Sequence, residues 1–356
     1  MPETGYFLEV AQKTPTRFWI NNPTVQEAEY AIAAGAVGCT TNPSYAAKML
    51  VNPGAAGELR RILRRELSPA RSDGEVAGAV QRTLVKGLSD LFMPLYATSG
   101  GKEGFVTIQG DPLEEGDPNV IIREGRAARR IAPNIMVKIP VTEAGIRAIK
   151  TLVKENCPVM ATEVMAVSQA LRICGAYREI SEESGLAPAF YVTHITGILD
   201  DYFQGAVRQR DLKIPPEILA QAGLSIAKKQ YALLTEKNCP GRMIGGGARK
   251  LADFTELVGG DLTVTINWKG TADELIRTHP PVVSRIGEQT APAVTEFLRK
   301  ELPGYREAWD EDGLKPEDFF EYGGVKLFRD SFIKSWRELL AAVREEREDS
   351  AQGGTI

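Results

Sequence analysis

A lysine inside an apolar run is the side chain of this sequence best placed to do chemistry. Ile135-Met136-Val137-Lys138-Ile139-Pro140 reads as a buried strand with Lys138 within it. Taking an amine out of water favours its neutral form and lowers its pKa. A neutral amine is a nucleophile that condenses with a ketone to give a Schiff base. The alternative is a lysine ion-paired with a nearby carboxylate, for which Asp111 or Glu163 could serve. Other polar residues fall where strands should end: Asn21, Thr41 with Asn42, Gln109, Thr162, Tyr191 with His194, Arg249 and Asn267. Taken alone, Thr40 to Ser44 and Gln109 to Pro112 read as turns or helix caps. Asp111 reads as a loop residue. Gly245-Gly246-Gly247 with Arg249 reads either as a strand-to-helix turn or as an anion site, where backbone N–H groups and a guanidinium would hold a phosphate. His194 alone reads as a hydrogen-bonded structural histidine. With only 2 histidines, a multi-histidine zinc site and a Ser-His-Asp triad are both poor readings.

These residues need a scaffold, and the chain reads as strands alternating with helices. Strands are expected at Phe18–Asn21, Ala36–Thr41, Gly104–Ile108, Ile135–Ile139, Val159–Ala161, Ala189–Thr193, Met243–Gly245 and Leu262–Ile266. Helical stretches fall between them, among them Thr24–Ala34, Gly54–Leu67, Gly74–Tyr96, Glu143–Asn156, Val167–Tyr177, Gly223–Leu234 and Leu251–Val258. Eight strands in this alternation predict a single α/β domain over residues 1–356, a (β/α)8 TIM barrel with extra helices. Its active site would lie at the carboxyl ends of the strands. Residues 276–322, rich in proline and charge, read as an insertion of short helices and loops. Residues 325–347 read as a C-terminal amphipathic helix and 349–356 as a disordered tail.

Composition sets the outer limits. The 356 residues are 43% apolar and 25% charged, ordinary values for a globular protein. No apolar run approaches the roughly 20 residues that span a bilayer. Lys plus Arg number 43 and Asp plus Glu 47, a net charge of −4 that does not suggest nucleic-acid binding. The cluster Arg60, Arg61, Arg64 and Arg65 reads as a solvated helix face. The 4 cysteines form no CxxC pair and read as reduced thiols. No secretion signal is read at the N-terminus, so a cytoplasmic location is expected.

Two segments go further. Gly38-Cys39-Thr40-Thr41-Asn42-Pro43-Ser44, and Val137-Lys138-Ile139-Pro140-Val141-Thr142-Glu143-Ala144-Gly145 with Pro158 to Thr162 after it, resemble the transaldolase family in order and spacing. This is a family of class I Schiff-base enzymes on a (β/α)8 barrel. The resemblance runs through most of residues 16–268 and returns at the last helix. It implies Lys138 as the Schiff-base lysine, with no metal or organic cofactor. It implies Asn42, beside Thr41, as the residue that hydrogen-bonds donor hydroxyls, and Thr162 as the holder of a water. Gln109 stands where transaldolases proper carry glutamate; fructose-6-phosphate aldolases carry glutamine there, with a tyrosine that Tyr191 matches and an alanine that Ala189 matches. Asn21 stands where the family has an aspartate. On the phosphate side His194 replaces an arginine, Gly247 replaces a serine, and Arg249 matches a phosphate-binding arginine.

The function this implies is transfer or release of a dihydroxyacetone unit from a ketose or ketose phosphate. Alternatives are a Schiff-base aldolase of specialised metabolism with a non-standard donor, and a non-catalytic barrel that binds a sugar phosphate. The expected partner is a small sugar or sugar phosphate, with no nucleic acid and no membrane; a homo-oligomer is possible.

Overall fold

The structure, a computed structural model, describes residues 5–353, and side chains as far as Ser350. Eight parallel strands close into a barrel in sequence order: β1 Arg17–Asn21, β2 Ala36–Thr40, β3 Phe105–Gln109, β4 Ile135–Pro140, β5 Val159–Thr162, β6 Phe190–Ile195, β7 Arg242–Gly246 and β8 Leu262–Ile266. β1 pairs with β8 to complete the ring. Helices follow the strands and cover the outside of the ring. The chain is therefore a (β/α)8 barrel.

Side chains alternate across each strand, so every second residue faces the barrel interior. Trp19, Phe105, Met136, Met160, Tyr191 and Ile244 fill the lower part. Gly38 is a close approach: a Cβ there would lie 2.3 Å from Trp19 Cε2, so only glycine lets the indole cross the axis. This apolar plug forms a floor. Polar strand-end residues stand above it.

Several helices were not anticipated. Tyr6–Lys13, Pro118–Arg129 and Thr196–Arg210 are all helical. Phe7, on the first of them, stacks on Phe18 at 4.0 Å and packs against the amino end of β1. Residues 276–322 hold the short helices Pro292–Glu301 and Tyr305–Trp309, whose Leu298, Leu302 and Tyr305 pack into a satellite core with Phe203 and Phe332.

The last helix runs Gly323–Gly353, so residues 349–353 of the expected disordered tail are helical; 354–356 lie outside the described residues. Its apolar residues recur at three- and four-residue spacing: Val325, Phe328, Phe332, Trp336, Leu339 and Val343. Arg60 and Arg64 reach the buried Glu346 of this helix at 3.1 and 2.7 Å. All four arginines of the basic cluster are exposed, as expected of a solvated helix face, and two of them also pin the C-terminal helix.

The expectation of reduced thiols also needs correction. Cys174 and Cys239 form a disulfide, with Cα atoms 5.8 Å apart. They are 65 residues apart in sequence. The helix Ala222–Glu236 packs on Val167–Ser184 and delivers Cys239 beside Cys174. Cys39 and Cys157 are free and buried. Among the described residues, no helix is long and apolar enough to cross a membrane.

Candidate active site

A cavity of about 290 Å³ opens at the carboxyl ends of the strands. Met160 and Ile244 form its floor; Lys138 lies in its wall, along with Asn21, Asn42 and Thr265. Phe328, Ser331 and Phe332 of the C-terminal helix lie over it. The barrel alone would leave this mouth open, and the last helix supplies the cover.

Lys138 is 6% exposed. Burial pulls its amine down from 10.5 to about 8, and the negative charges of Glu163 and Glu115 partly oppose that fall. Lys138 sits in register with Gln109 on β3 and with Met160 on β5. At pH 7 roughly a tenth of such an amine is neutral, against well under a thousandth for an exposed lysine.

The amide residues around it form two chains. Asn21 accepts from the Thr40 hydroxyl and donates to Asn267 Oδ1, both at 2.9 Å. Asn42 Oδ1 accepts from Asn22 Nδ2 and from the Ser44 backbone N–H, both at 3.0 Å. With its oxygen occupied, Asn42 has only amide hydrogens left to offer a ligand. Asn22 makes this possible by adopting a left-handed φ of 45°, which turns its side chain onto Asn42.

Gln109 and Thr162 pack beside Lys138 rather than lining the cavity. Gln109 Nε2 lies 2.9 Å from Glu115 Oε1 and 2.9 Å from Glu163 Oε1. An amide oxygen facing two carboxyls would be repelled, so the NH2 group takes this position and donates both hydrogens. Gln109 Oε1, Thr162 Oγ1 and the second oxygens of Glu115 and Glu163 are buried with no partner among the described residues. Burial raises both carboxyls, and the charge of Glu163 raises Glu115 further. Arg329 of the C-terminal helix pulls both the other way.

Four expected site residues stand elsewhere. Tyr191 is the second residue of β6, about 13 Å below the strand's end at 3.3 Å per residue. It packs against Trp19 at 5.3 Å, and its hydroxyl meets Arg242 at the amino end of β7. Ala189 precedes the strand and packs against the same plug. The polar β6 side chain that does reach the cavity is Thr193. Thr41 is fully buried and ties β2 to β3: its N–H and hydroxyl meet Thr107 Oγ1 and Thr107 O at 3.0 and 2.6 Å. His194 points outward from β6, between sheet and helix, with Nδ1 3.0 Å from Gln230. Burial lowers its pKa to about 4, so it is neutral and cannot stand in for an arginine. The cavity wall nearby is Ile195 and Ile198.

Gly247 and Arg249 do line the cavity. Arg249 is engaged by Asp201, with Nε to Oδ2 at 3.0 Å. The glycine run leads into a helix of only 4 residues, Ala252–Thr255, so the strand-to-helix turn is the better description of it. Sequence reasoning missed Glu115, Arg329, Phe328 and Phe332 as members of this region. It named Glu163 only as a possible ion-pair partner for Lys138.

A family profile described as Transaldolase/Fructose-6-phosphate aldolase matches residues 18–312, which spans all eight strands. The chain belongs to that family. A transaldolase of Neisseria gonorrhoeae is 28% identical over 224 residues, 60% of this chain and 62% of that protein. A transaldolase of Mycobacterium leprae is 26% identical over 353 residues, 89% of this chain and 88% of that protein. The first alignment spans less than two thirds of that relative's length. The family is thus matched across the whole barrel, at an identity that leaves the cavity lining free to differ.

Proposed function

We propose that this protein is a class I aldolase of transaldolase type, acting on a ketose or ketose phosphate. The observation that carries the reading is Lys138: a buried amine with lowered pKa, opening into a cavity walled by amides and hydroxyls. Neutral Lys138 attacks the ketone and, on loss of water, gives an iminium ion. The iminium withdraws electrons while the bond between C3 and C4 breaks, an aldehyde leaves, and a three-carbon enamine remains on the lysine. The enamine then adds to an acceptor aldehyde, or takes a proton and is hydrolysed.

The Nδ2 of Asn42 is available to donor hydroxyls. Thr162 and the free oxygen of Gln109 offer a water two acceptors beside the lysine. Asn21 and Gln109 are amides, so neither carries a proton through the reaction. Proton transfer falls to water and to the carboxyls behind Gln109, as general acid–base catalysis requires. Tyr191, within the apolar plug below the cavity, takes no part.

The test is borohydride reduction of the protein with a panel of ketoses and ketose phosphates, followed by mass mapping. A three-carbon adduct on Lys138, absent from Lys138→Met, is expected. Trapping that persists in Lys138→Met overturns the reading, as does failure of every donor with the folded protein.

A further inference from the structure

The carboxylates around Lys138 are not where the family resemblance implies. The first strand ends in Asn21 and the third in Gln109, so the residues flanking the lysine at the strand ends are amides. The negative charge lies one layer back. Glu115, 4% exposed, comes from the loop after β3. Glu163, fully buried, follows β5 in a left-handed conformation with φ 57°. A non-glycine residue holds that conformation only when its surroundings dictate it. Here the turn sends the carboxyl back to Gln109.

Two buried carboxylates this close cannot both ionise without compensation. One cation besides Lys138 acts on both of them, Arg329. Arg329 is 8% exposed, and its guanidinium lies 3.6 Å over the Phe320 ring and donates to Phe320 O at 3.1 Å. Asp111, in the same loop as Glu115, adds a further negative charge. The segment after the barrel, through Phe320, thereby fixes the charge balance around the lysine. Neither carboxylate makes a direct ion pair with Lys138, so both act through the field or through an intervening water.

We propose that the Glu115–Gln109–Glu163 cluster, poised by Arg329, is the proton store of this site: it holds the proton Lys138 sheds before attack and returns it to the departing hydroxyl. The inference rests on Lys138 as the Schiff-base residue. The step balances. The ammonium of Lys138 gives one proton to the ionised carboxylate of the pair, and the amine adds to the carbonyl. The carbinolamine hydroxyl takes the stored proton and leaves as water. The iminium keeps one N–H, and the carboxylate is ionised again. Glu115 and Glu163 are the proton acceptor and donor on this account, acting through an intervening water, and Gln109 holds the two carboxyls a fixed distance apart.

Competitive acetylation of the full-length protein over a pH series, read by mass spectrometry on the Lys138 peptide, titrates the amine without any substrate. In the unaltered protein the midpoint is expected near 8. Glu163→Gln removes an attracting charge, so the midpoint moves down by about one pH unit. Borohydride-trapped adduct should nonetheless form roughly tenfold or more slowly at every pH, because the proton acceptor is gone. A merely structural glutamate would leave the midpoint in place. An unmoved midpoint in a Glu163→Gln protein that melts like the parent overturns the proposal, as does an ordinary lysine midpoint in the parent. If Glu163→Gln does not fold, Glu115→Gln is read the same way, and Arg329→Lys should retain the parent midpoint where Arg329→Gln shifts it. A shifted midpoint with no adduct from any donor defeats the aldolase reading and leaves the charge cluster standing. Normal adduct formation with an unmoved midpoint does the reverse.

Discussion

Arg249 and Asp201 face each other at the rim of the cavity, Nε to Oδ2 at 3.0 Å, so the cation expected to hold a phosphate already has an anionic partner. Both side chains are about half exposed, at 47% and 42%. Such a pair adds little stability, about 0–1 kcal/mol. Its consequence is competition: a substrate phosphate must displace Asp201. Asp201→Asn should therefore lower KM for a ketose phosphate by about 3- to 10-fold. It should leave KM for the unphosphorylated ketose unchanged. Equal effects on the two donors, or none on either, would show that Arg249 is not a phosphate ligand.

Restoring the serine that the family carries at Gly247 should not rebuild a phosphate site. Gly247 has φ +67°, and a Cβ there would lie 2.6 Å from Ile195 Cγ2. Strain and overlap together should cost Gly247→Ser about 1–3 kcal/mol. A thermal melt that falls by several degrees, with no gain in affinity for the phosphorylated donor, is the expected result. An unchanged melt with tighter binding would mean that Ile195 yields.

The Cys174–Cys239 bond closes a segment of 65 residues. On the chain-entropy account a loop of that size contributes about 4 kcal/mol. Thiol titration of the denatured, unreduced protein should find two thiols, those of Cys39 and Cys157. Cys174→Ser should lower the melting temperature, and reductant should have the same effect on the parent. Four titratable thiols would remove the bond from the protein.

What the sequence made legible follows a physical division. The strands were readable because each is a short apolar run bounded by turn residues, and their order specified the barrel. Lys138 stood out because a charge in such a run is costly. The helix Tyr6–Lys13 was not readable, since 8 residues give too few turns for a period to show. Tyr191, Ala189 and His194 matched family positions or strand ends, yet what places a strand residue in the cavity is its height and its face. Tyr191 and Ala189 fail on height and His194 on face. Glu115 left no local sign, because its role arises only when Gln109, six residues before it, also meets Glu163 from beyond β5. Arg329 was hidden in an ordinary amphipathic helix, most of whose charged residues face water.

Lys138 also leaves a signature in stability. Its amine falls from 10.5 in the exposed state to about 8 in the fold. Below pH 8 both states carry the proton, and the folded protein bears the full cost of a buried charge. Between about pH 8 and 10.5 the folded state has lost the proton while the unfolded chain retains it. The unfolded state then binds more protons, and stability rises with pH across that window. The cost below the window is at most about 3 kcal/mol. Lys138→Met removes the charge and keeps the length of the side chain. It should raise stability at pH 7 by up to that amount and flatten the rise between pH 8 and 10.5. Denaturant melts of both proteins at pH 7 and pH 10 measure the two slopes. A Lys138→Met protein less stable than the parent at pH 7 would mean that Glu115 and Glu163 outweigh burial at this site, and that the lysine rests as a paired ammonium rather than a depressed amine.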